Sequence, residues 1–390
     1  MTFILLAFYL VSVAHTARAN VAEVMHYWIS PSEASAFSVF SDAFQIQGGT
    51  WVESAFEGSR ALTDAAYARI ADGFPPTVMQ WLLSPELSDL IDAGVVRPLS
   101  DLVDTDALSR IDPRVLDLVT FNDRVAGVPV GLHGENWAFY NAEIMERFGF
   151  EPPSNWTMFF EQMEHIAETG TGTVAIGEAY WNRLHVFKTM LVSEGGAELT
   201  QAMIKGRVPE TMVDPLESAL AHFIRFRDLF ATSGVRSSAW NDATAAVMEG
   251  AATVQIMGDW AKGEFIVAGR TPGEDFICAL APGTEGRYII VIDTFVFPNT
   301  SLPEDRETQQ TLLEIMLTPQ LQSEFSRRKG AIPVVNDVLP NDLDTCGQLG
   351  YATFQDEAGL VHTFSQGSTP ALVRIFEDII NRQIMDLLKT

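Results

Sequence analysis

The sequence predicts an α/β fold of two lobes that are joined by several crossings of the chain. Three observations support this prediction. Stretches typical of strands and helices alternate from residue 21 onward, a pattern typical of parallel strands covered by helices. A chain of 390 residues is long enough for two or three folding units. No low-complexity linker or internal repeat divides the chain, which favours lobes connected more than once over two tethered domains.

The first elements form a strand–helix–strand unit. Val24 to Trp28 is typical of a strand, Glu33 to Phe44 places apolar residues at helical spacing, and Thr50 to Phe56 returns to strand character. The same alternation continues along the chain. Further strands are predicted around Val125 to Val130, Val174 to Ile176, Val254 to Met257 and Tyr288 to Phe297, with helices such as Pro215 to Phe230 and Thr308 to Leu317.

The predicted crossings between the lobes are short segments that contain Gly and Pro. Residues 126–130 and 281–284 are of this kind, and a helix cannot continue through them. The first crossing therefore falls near residue 130, with a return before residue 297. These positions assign residues 20–130 plus 285–333 to lobe 1, and residues 131–284 plus 334–390 to lobe 2.

The amino terminus is typical of a secretory signal peptide. Residues 3–14 form an uncharged apolar run, and Ala17-Arg18-Ala19 matches a cleavage site. We interpret residues 1–19 as a signal peptide cleaved near Ala19, and expect an exported, periplasmic protein without stable membrane insertion. No Lys or Arg precedes the run, which a misplaced start codon would explain. The alternative is a buried amino-terminal strand of a cytosolic protein.

Composition restricts the partners. Lys and Arg total 25 against 51 Asp and Glu, which gives a net charge of -26. Such a surface repels phosphate backbones and anionic lipid headgroups, so we expect neither nucleic acid nor a membrane surface as a partner. Charged residues make up only 19% of the chain and apolar residues 47%, a balance typical of a folded chain.

Chemical motifs are scarce. Cys278 and Cys346 are the only cysteines, and in an oxidising compartment such a pair favours a disulfide. The sequence contains no CxxC or HExxH motif, so it predicts no metal site. It also lacks the glycine-rich loops of nucleotide-binding folds and the GxSxG motif of hydrolases. We therefore expect no cofactor, no catalytic residues and no enzymatic activity.

Aromatic and polar residues occur together at the ends of several predicted strands. A sugar site needs flat rings that stack on the CH faces of the sugar and polar groups that bind its hydroxyls. For any single Trp, packing in the core is the more common alternative. The pairs are Tyr27-Trp28, Gln80-Trp81, Asn136-Trp137, Trp240-Asn241-Asp242 and Asp259-Trp260.

Segments from about residue 22 to 385 resemble the extracellular solute-binding proteins of bacterial sugar ABC importers (family 1), and most of all their glucose- and mannose-binding branch. Two stretches are specific to that branch: 240–243 (Trp-Asn-Asp-Ala) and 257–263 (Met-Gly-Asp-Trp-Ala-Lys-Gly). The other segments that carry the resemblance are 26–28 with Glu33, 73–77 with Gln80, 127–133 with Asn136 and 140–141, 149–153 with Trp156, 282–284, 293–295 and 328–333.

The resemblance implies the two-lobe periplasmic binding protein fold, with an interlobe ligand cleft and a hinge of several crossings. It also implies a monomer that captures a sugar, such as glucose or mannose, by hinge closure and delivers it to ABC permease subunits. Tyr27 stands where relatives have Trp, Leu82 lies where relatives have a polar residue, and Gly134 stands where they often have Arg. The preferred sugar can therefore differ from glucose. The implied sugar-binding residues are Tyr27, Trp28, Glu33, Gln80, Asn136, Trp240, Asp293, Lys329 and His362.

Two other functions use the same residues. A secreted glycoside-active enzyme would use Glu33 and Asp293 as its pair of carboxylates, although sequence alone cannot give the separation that such an enzyme requires. A ligand-sensing protein for a chemoreceptor would share the sugar site and differ only in its protein partner.

Overall fold

A computed structural model describes residues 20–83, 86–300, 303–338 and 340–362. The proposed signal peptide and residues 363–390 of the proposed second lobe lie outside these ranges. The strands are β1 Val21–His26, β2 Thr50–Ala55, β3 Val78–Leu82, β4 Val96–Arg97, β5 Thr120–Phe121, β6 Arg124–Val125, β7 Val128–Gly134, β8 Trp137–Asn141, β9 Ala175–Gly177, β10 Val235–Ser237, β11 Val254–Met257, β12 Phe276–Leu280, β13 Tyr288–Pro298 and β14 Leu360–His362.

Helices alternate with these strands, as the sequence predicts. Short 3-10 turns at Leu99–Asp101, Glu210–Met212, Pro340–Asp342 and Glu357–Gly359 complete the secondary structure. The α-helices are α1 Pro31–Ile46, α2 Ser59–Ala71, α3 Glu86–Asp92, α4 Thr105–Leu108, α5 Pro113–Leu118, α6 Ala142–Phe148, α7 Trp156–Ala167, α8 Tyr180–Ile204 (interrupted at Gly196), α9 Val213–Ser233, α10 Trp240–Met248, α11 Trp260–Val267, α12 Pro303–Met316, α13 Pro319–Lys329 and α14 Thr345–Phe354.

The two lobes are built on separate sheets. The larger sheet has the order β14-β13-β3-β1-β2, and β4 and β7 also pair with β13. In it β1 lies parallel to β2 and β3, whereas β13 runs antiparallel to β3 and β7. The smaller sheet has the order β11-β8-β12 and is antiparallel. The fold is therefore the predicted two-lobe α/β arrangement.

The chain passes between the sheets at two nearby places. β7 ends at Gly134 and β8 begins at Trp137, and on the way back β12 ends at Leu280 before β13 begins at Tyr288. The sequence predicts one strand over Val125 to Val130, but the structure divides it between β6 and β7, because Ala126 and the following glycine form the link. β7 and β13 pair side by side, so the crossings share one ladder of hydrogen bonds.

A disulfide joins Cys278 to Cys346, as predicted, with their Cα atoms 5.9 Å apart. Cys278 lies on β12 of the smaller sheet and Cys346 lies in the first turn of α14. The bridge therefore fixes α14 against the second lobe. Across the described part of the chain, no helix combines the length and apolar character needed to cross a bilayer.

Candidate functional site

The loop that follows β1 supplies the first residues of the site. Ser30 caps α1, and Pro31 occupies the first helical position, where its missing N–H is not needed. Oε2 of Glu33 accepts the backbone N–H groups of Ile29 and Ser30 at 3.2 and 3.1 Å, which completes a capping box. The cap fixes the Glu33 carboxylate and leaves its second oxygen, Oε1, directed toward Lys329.

Lys329 is the central cation of the site. It is the last residue of α13, and its side chain is only 3% exposed. Its Nζ lies 3.5 Å from Oε1 of Glu33 and 3.9 Å from Oδ2 of Asp293. The same ammonium lies 5.4 Å from the ring centre of Trp28 and 6.0 Å from that of Trp260, within cation–π range. One buried charge therefore brings two carboxylates and two indole rings together.

Gln80 and Tyr27 border the same group. Gln80 lies on β3, fully buried, and its Oε1 accepts the backbone N–H of Tyr27 at 3.0 Å. Nε2 of Gln80 is buried without a partner among the described residues, so a donor is available there. Burial, and then the charges of Asp293 and Glu33, raise the pKa of the Tyr27 hydroxyl well above its usual value. Tyr27 is therefore a protonated phenol beside two carboxylates.

Asp293 is held by a histidine that the predicted site does not include. Nε2 of His133 lies 2.9 Å from Oδ2 of Asp293, and Nδ1 of His133 bonds to Oδ1 of Asp259. Burial alone would raise the pKa of Asp293, but the positive charges of Lys329 and His133 outweigh it and hold that pKa below its usual value. Asp293 is therefore a buried carboxylate that remains ionised.

Trp28 is packed in the core and does not present an open ring face on which a sugar could stack. It is only 2% exposed and packs against Phe37, Phe295 and Phe325 with ring centres 5.5 Å away in each case. Trp260 is half-buried, and its ring contacts those of His133 and His185 at 5.7 and 5.6 Å. Trp260 is thus the more accessible ring beside Lys329.

Three predicted residues lie apart from this cluster in the described contacts. Asn136 donates to Thr284 and to the Arg287 carbonyl and accepts from the Ile289 N–H, so its fully buried amide ties the crossings together. We therefore do not include Asn136 among the proposed sugar contacts. His362 is exposed and ends β14, where it pairs with Ile290 on the strand that carries Asp293.

Trp240, the third of these residues, begins α10 and is half-buried. Its backbone carbonyl accepts from Nε2 of Gln255 at 2.8 Å, which anchors the start of the helix to β11. The indole packs against the edge of the core and keeps part of its surface open.

His133 is missing from the predicted sugar-binding residues, and Asp259 and Trp260 were noted only as an aromatic and polar pair, although all three lie in segments that carry the family resemblance. His133 and Asp259 are 126 residues apart in sequence, and His133 and Asp293 are 160 apart. The pairing of β7 with β13 brings His133 to Asp293, and the loop between β11 and α11 brings Asp259 to His133, so no local pattern encodes these contacts. Among the described residues, no group of three or more His, Cys, Asp or Glu side chains is arranged to hold a metal ion.

Known proteins share both sequence and fold with this chain. A profile of the family described as "Bacterial extracellular solute-binding protein" matches residues 31–322. A "Probable sugar-binding periplasmic protein" of Mesorhizobium japonicum is 31% identical over 97% of this chain and 92% of its own length.

Two solved structures are similar in fold at low sequence identity. A "Chitin oligosaccharide binding protein" superposes with a TM-score of 0.78 at 15% identity, covering 95% of this chain and 94% of its own. The solute receptor AcbH, whose title gives an exclusive preference for β-D-galactopyranose, reaches 0.73 at 14% identity, covering 94% of this chain and 99% of its own.

Proposed function

The chain belongs to the family of bacterial extracellular solute-binding proteins, and we propose that it is the periplasmic sugar-capturing component of a carbohydrate ABC importer. The family and its solved relatives are binding proteins and not enzymes. The enzyme alternative is therefore not kept. Both carboxylates that it would use already have partners, since Glu33 caps α1 and faces Lys329, and Asp293 is bonded to His133.

One observation carries the proposal: acceptors, donors and aromatic rings converge around the Lys329 ammonium. A sugar is a neutral polyol, so its site must offer hydrogen-bond donors and acceptors to many hydroxyl groups. Glu33 and Asp293 supply acceptors, Lys329 and Nε2 of Gln80 supply donors, and the Tyr27 hydroxyl can do either. Hydrogen bonds to charged groups are the stronger ones, and these groups are buried.

We assign a single sugar ring, such as glucose or mannose, to the centre of the site. The carboxylates and rings that define it all lie within 6.0 Å of one nitrogen atom, Nζ of Lys329, which is about the span of one pyranose. Trp240 is assigned to stacking on the sugar from the second lobe, and His362 to a contact at the rim. Relatives of similar fold include receptors for oligosaccharides as well as for galactopyranose, so longer ligands belong in the test.

Delivery depends on closure of the two lobes around the sugar. Ser32, at the start of α1, donates to Oε1 of Glu264 on α11 at 2.5 Å, so residues that follow strands of different sheets already meet. A ligand that touches both lobes shifts the population toward the closed form, which the permease subunits are expected to recognise. We propose residues 20–130 plus 285–333 and residues 131–284 plus 334–390 as the moving bodies, except that β7 and β14 stay with the larger sheet in which they pair with β13. We also propose a monomer that is exported after cleavage near Ala19.

A thermal-shift screen with hexoses, pentoses and di- to tetrasaccharides tests the proposal. A ligand at 100 times its Kd adds about 2.7 kcal/mol to the folded state, which raises Tm by roughly 3 to 4 °C for a chain of this size. We expect this shift with at least one hexose, together with a smaller radius of gyration by small-angle scattering.

Each part of the proposal can fail separately in this screen. A larger shift with an oligosaccharide than with any monosaccharide would overturn the single-ring assignment. No shift with any sugar would overturn carbohydrate binding. An unchanged radius of gyration with every tight ligand would overturn closure.

A further inference from the structure

His133 occupies an unusual place in the fold. It lies on β7 one residue before the strand leaves the larger sheet, and its side chain is 1% exposed. Asp259 directly precedes α11 and follows β11 of the smaller sheet, whereas Asp293 lies on β13 of the larger sheet. The imidazole is hydrogen-bonded to both carboxylates, one at each ring nitrogen. A single side chain therefore connects a residue of one sheet to the proposed sugar acceptor in the other.

The hydrogen bonds determine where the protons are. A neutral imidazole has one N–H and one lone pair, so one of its nitrogens would present a lone pair to a carboxylate oxygen. Oδ2 of Asp259 already accepts the Gly134 N–H at 2.9 Å and the Tyr288 hydroxyl at 3.2 Å, as expected for an ionised carboxylate. Both contacts of His133 are satisfied at once only when both of its nitrogens carry protons.

We propose that His133, as a doubly protonated bridge held by Asp259, is a positioning residue that keeps Asp293 ionised and oriented for the sugar. This inference rests on the proposed function and adds two residues to it. Oδ2 of Asp293 is occupied by His133, which leaves Oδ1 without a partner among the described residues. The free oxygen is the one that can accept a sugar hydroxyl.

The charges around His133 agree with this assignment. Burial alone would lower the pKa of His133, but Asp259 and Asp293 outweigh it and raise that pKa above its usual value. Two further charges act at the Asp293 end, where Lys329 lies 3.9 Å from that carboxylate and Glu33 lies 3.5 Å from Lys329.

The remaining titratable neighbours do not compete for the proton. Tyr27 is half-buried near Asp293 and Glu33, and Tyr288 is buried against Asp259. The pKa of each hydroxyl is raised well above 10, so both are neutral phenols. Burial lowers the pKa of His185, across the Trp260 ring, to about 4, so His185 is also neutral. Lys262 lines the small cavity next to Asp259, and its ammonium is paired with Asp344 at 2.9 Å.

The bridge predicts two pH limits for sugar affinity. Affinity falls at acid pH when Asp293 is protonated, and at alkaline pH when His133 loses its second proton. In the wild type the acid limit lies below the usual carboxyl range and the alkaline limit above the usual histidine range, because their pKa values are displaced in those directions. Affinity should therefore be flat through neutral pH.

Two isosteric variants move the two limits separately. His133→Gln removes the positive charge beside buried Asp293, so the acid limit should move up by about 1 to 3 pH units. Asp259→Asn removes one of the two charges that hold the proton on His133, so the alkaline limit should move down toward neutral. His222→Gln is the matched control, because His222 also lies near a carboxylate, 3.5 Å from Glu194, but far from the site in sequence and contacts.

The experiment is calorimetric titration with D-glucose, D-mannose and D-galactose between pH 4.5 and 9.5, on the three variants and the wild type. Nitrogen-15 spectra of the histidine side chains provide a second measurement without sugar, with His133 assigned by the signal that His133→Gln removes. We expect both ring nitrogens of His133 to be protonated at pH 7.5, limits that move in opposite directions, and an unchanged control.

The outcomes separate the inference from the proposed function. A neutral His133 at pH 7.5 overturns the bridge whatever the sugar result. Lower melting temperatures with unmoved pH limits mean that His133 and Asp259 only support the fold, which overturns the positioning role. If the wild type binds none of the three hexoses at any pH, the assignment of a single hexose ring fails, while the nitrogen-15 spectra still decide whether His133 is doubly protonated.

Discussion

Replacement of Trp240 by Ala tests whether the second lobe supplies a stacking surface. An indole buries about 150 to 250 Å2 when fully enclosed, and Trp240 keeps roughly a quarter of its surface, about 50 Å2, that a sugar could cover. At 25 cal/mol per Å2 this area is worth ~1.3 kcal/mol, so Kd should rise about tenfold. The hydroxyl partners around Lys329 stay in place, and the free energy of unfolding should fall by only ~1 to 2 kcal/mol, less than for a fully buried ring.

Calorimetric titration and thermal melting of Trp240→Ala decide between stacking and core packing. Trp51→Ala is the matched control, because Trp51 is also half-buried but packs against Phe37 and Phe44 in the first lobe. The control should lose similar stability and keep its sugar affinity. A large fall in the melting temperature of Trp240→Ala with unchanged Kd among folded molecules would refute the stacking role. An equal loss of affinity in both variants would refute it as well.

Three further substitutions follow from the contacts. Asp293→Ala should raise the Kd for sugar about tenfold to a hundredfold, as measured by titration. It should also destabilise the protein, because the buried cations His133 and Lys329 lose their partner, and an unchanged melting temperature would contradict this. Replacing Cys278 and Cys346 together should lower the unfolding free energy by about 4 kcal/mol for a separation of 68 residues, and urea unfolding at wild-type stability would contradict it. Gly330→Ala should cost ~1 to 2 kcal/mol from its left-handed backbone alone, and more because the new Cβ would clash with the carbonyl oxygen of Asp259. An unchanged urea midpoint would refute the clash.

Local sequence patterns predict several helices and strands of the fold well. The helix expected over Glu33 to Phe44 is observed as α1, and the strand expected over Tyr288 to Phe297 is observed as β13. The helix has apolar residues at helical spacing and the strand has a nearly continuous apolar run, and both patterns depend only on neighbouring residues. The strand expected to reach Trp28 ends at His26, because the chain turns there to form the cap of α1.

The site is harder to derive because its chemistry depends on distant pairs. Glu33 and Lys329 lie 296 residues apart, and only the packing of α1 against α13 places them together. The family resemblance names both residues. It does not show that Oε2 of Glu33 caps α1 while Oε1 faces Lys329. The sequence indicates Asp293 only as a ligand-binding or catalytic carboxylate. Its bonds to buried His133 and Lys329 give it a structural role as well.

The hydrogen-bonded groups Asp259, His133 and Asp293 lie at the crossings, and this position affects how the proposed closure is coupled to sugar binding. A rotation about a hinge moves atoms least when they lie close to its axis, and His133 and Asp293 lie on the two paired crossing strands themselves. Their hydrogen bond can therefore persist while the lobes open. The bond between Ser32 and Glu264 joins helices outside the crossings, so it is the kind of contact that opening breaks. We therefore expect the sugar to meet an oriented Asp293 before the proposed closure, and the binding energy gained from the second lobe to remain available for the rotation.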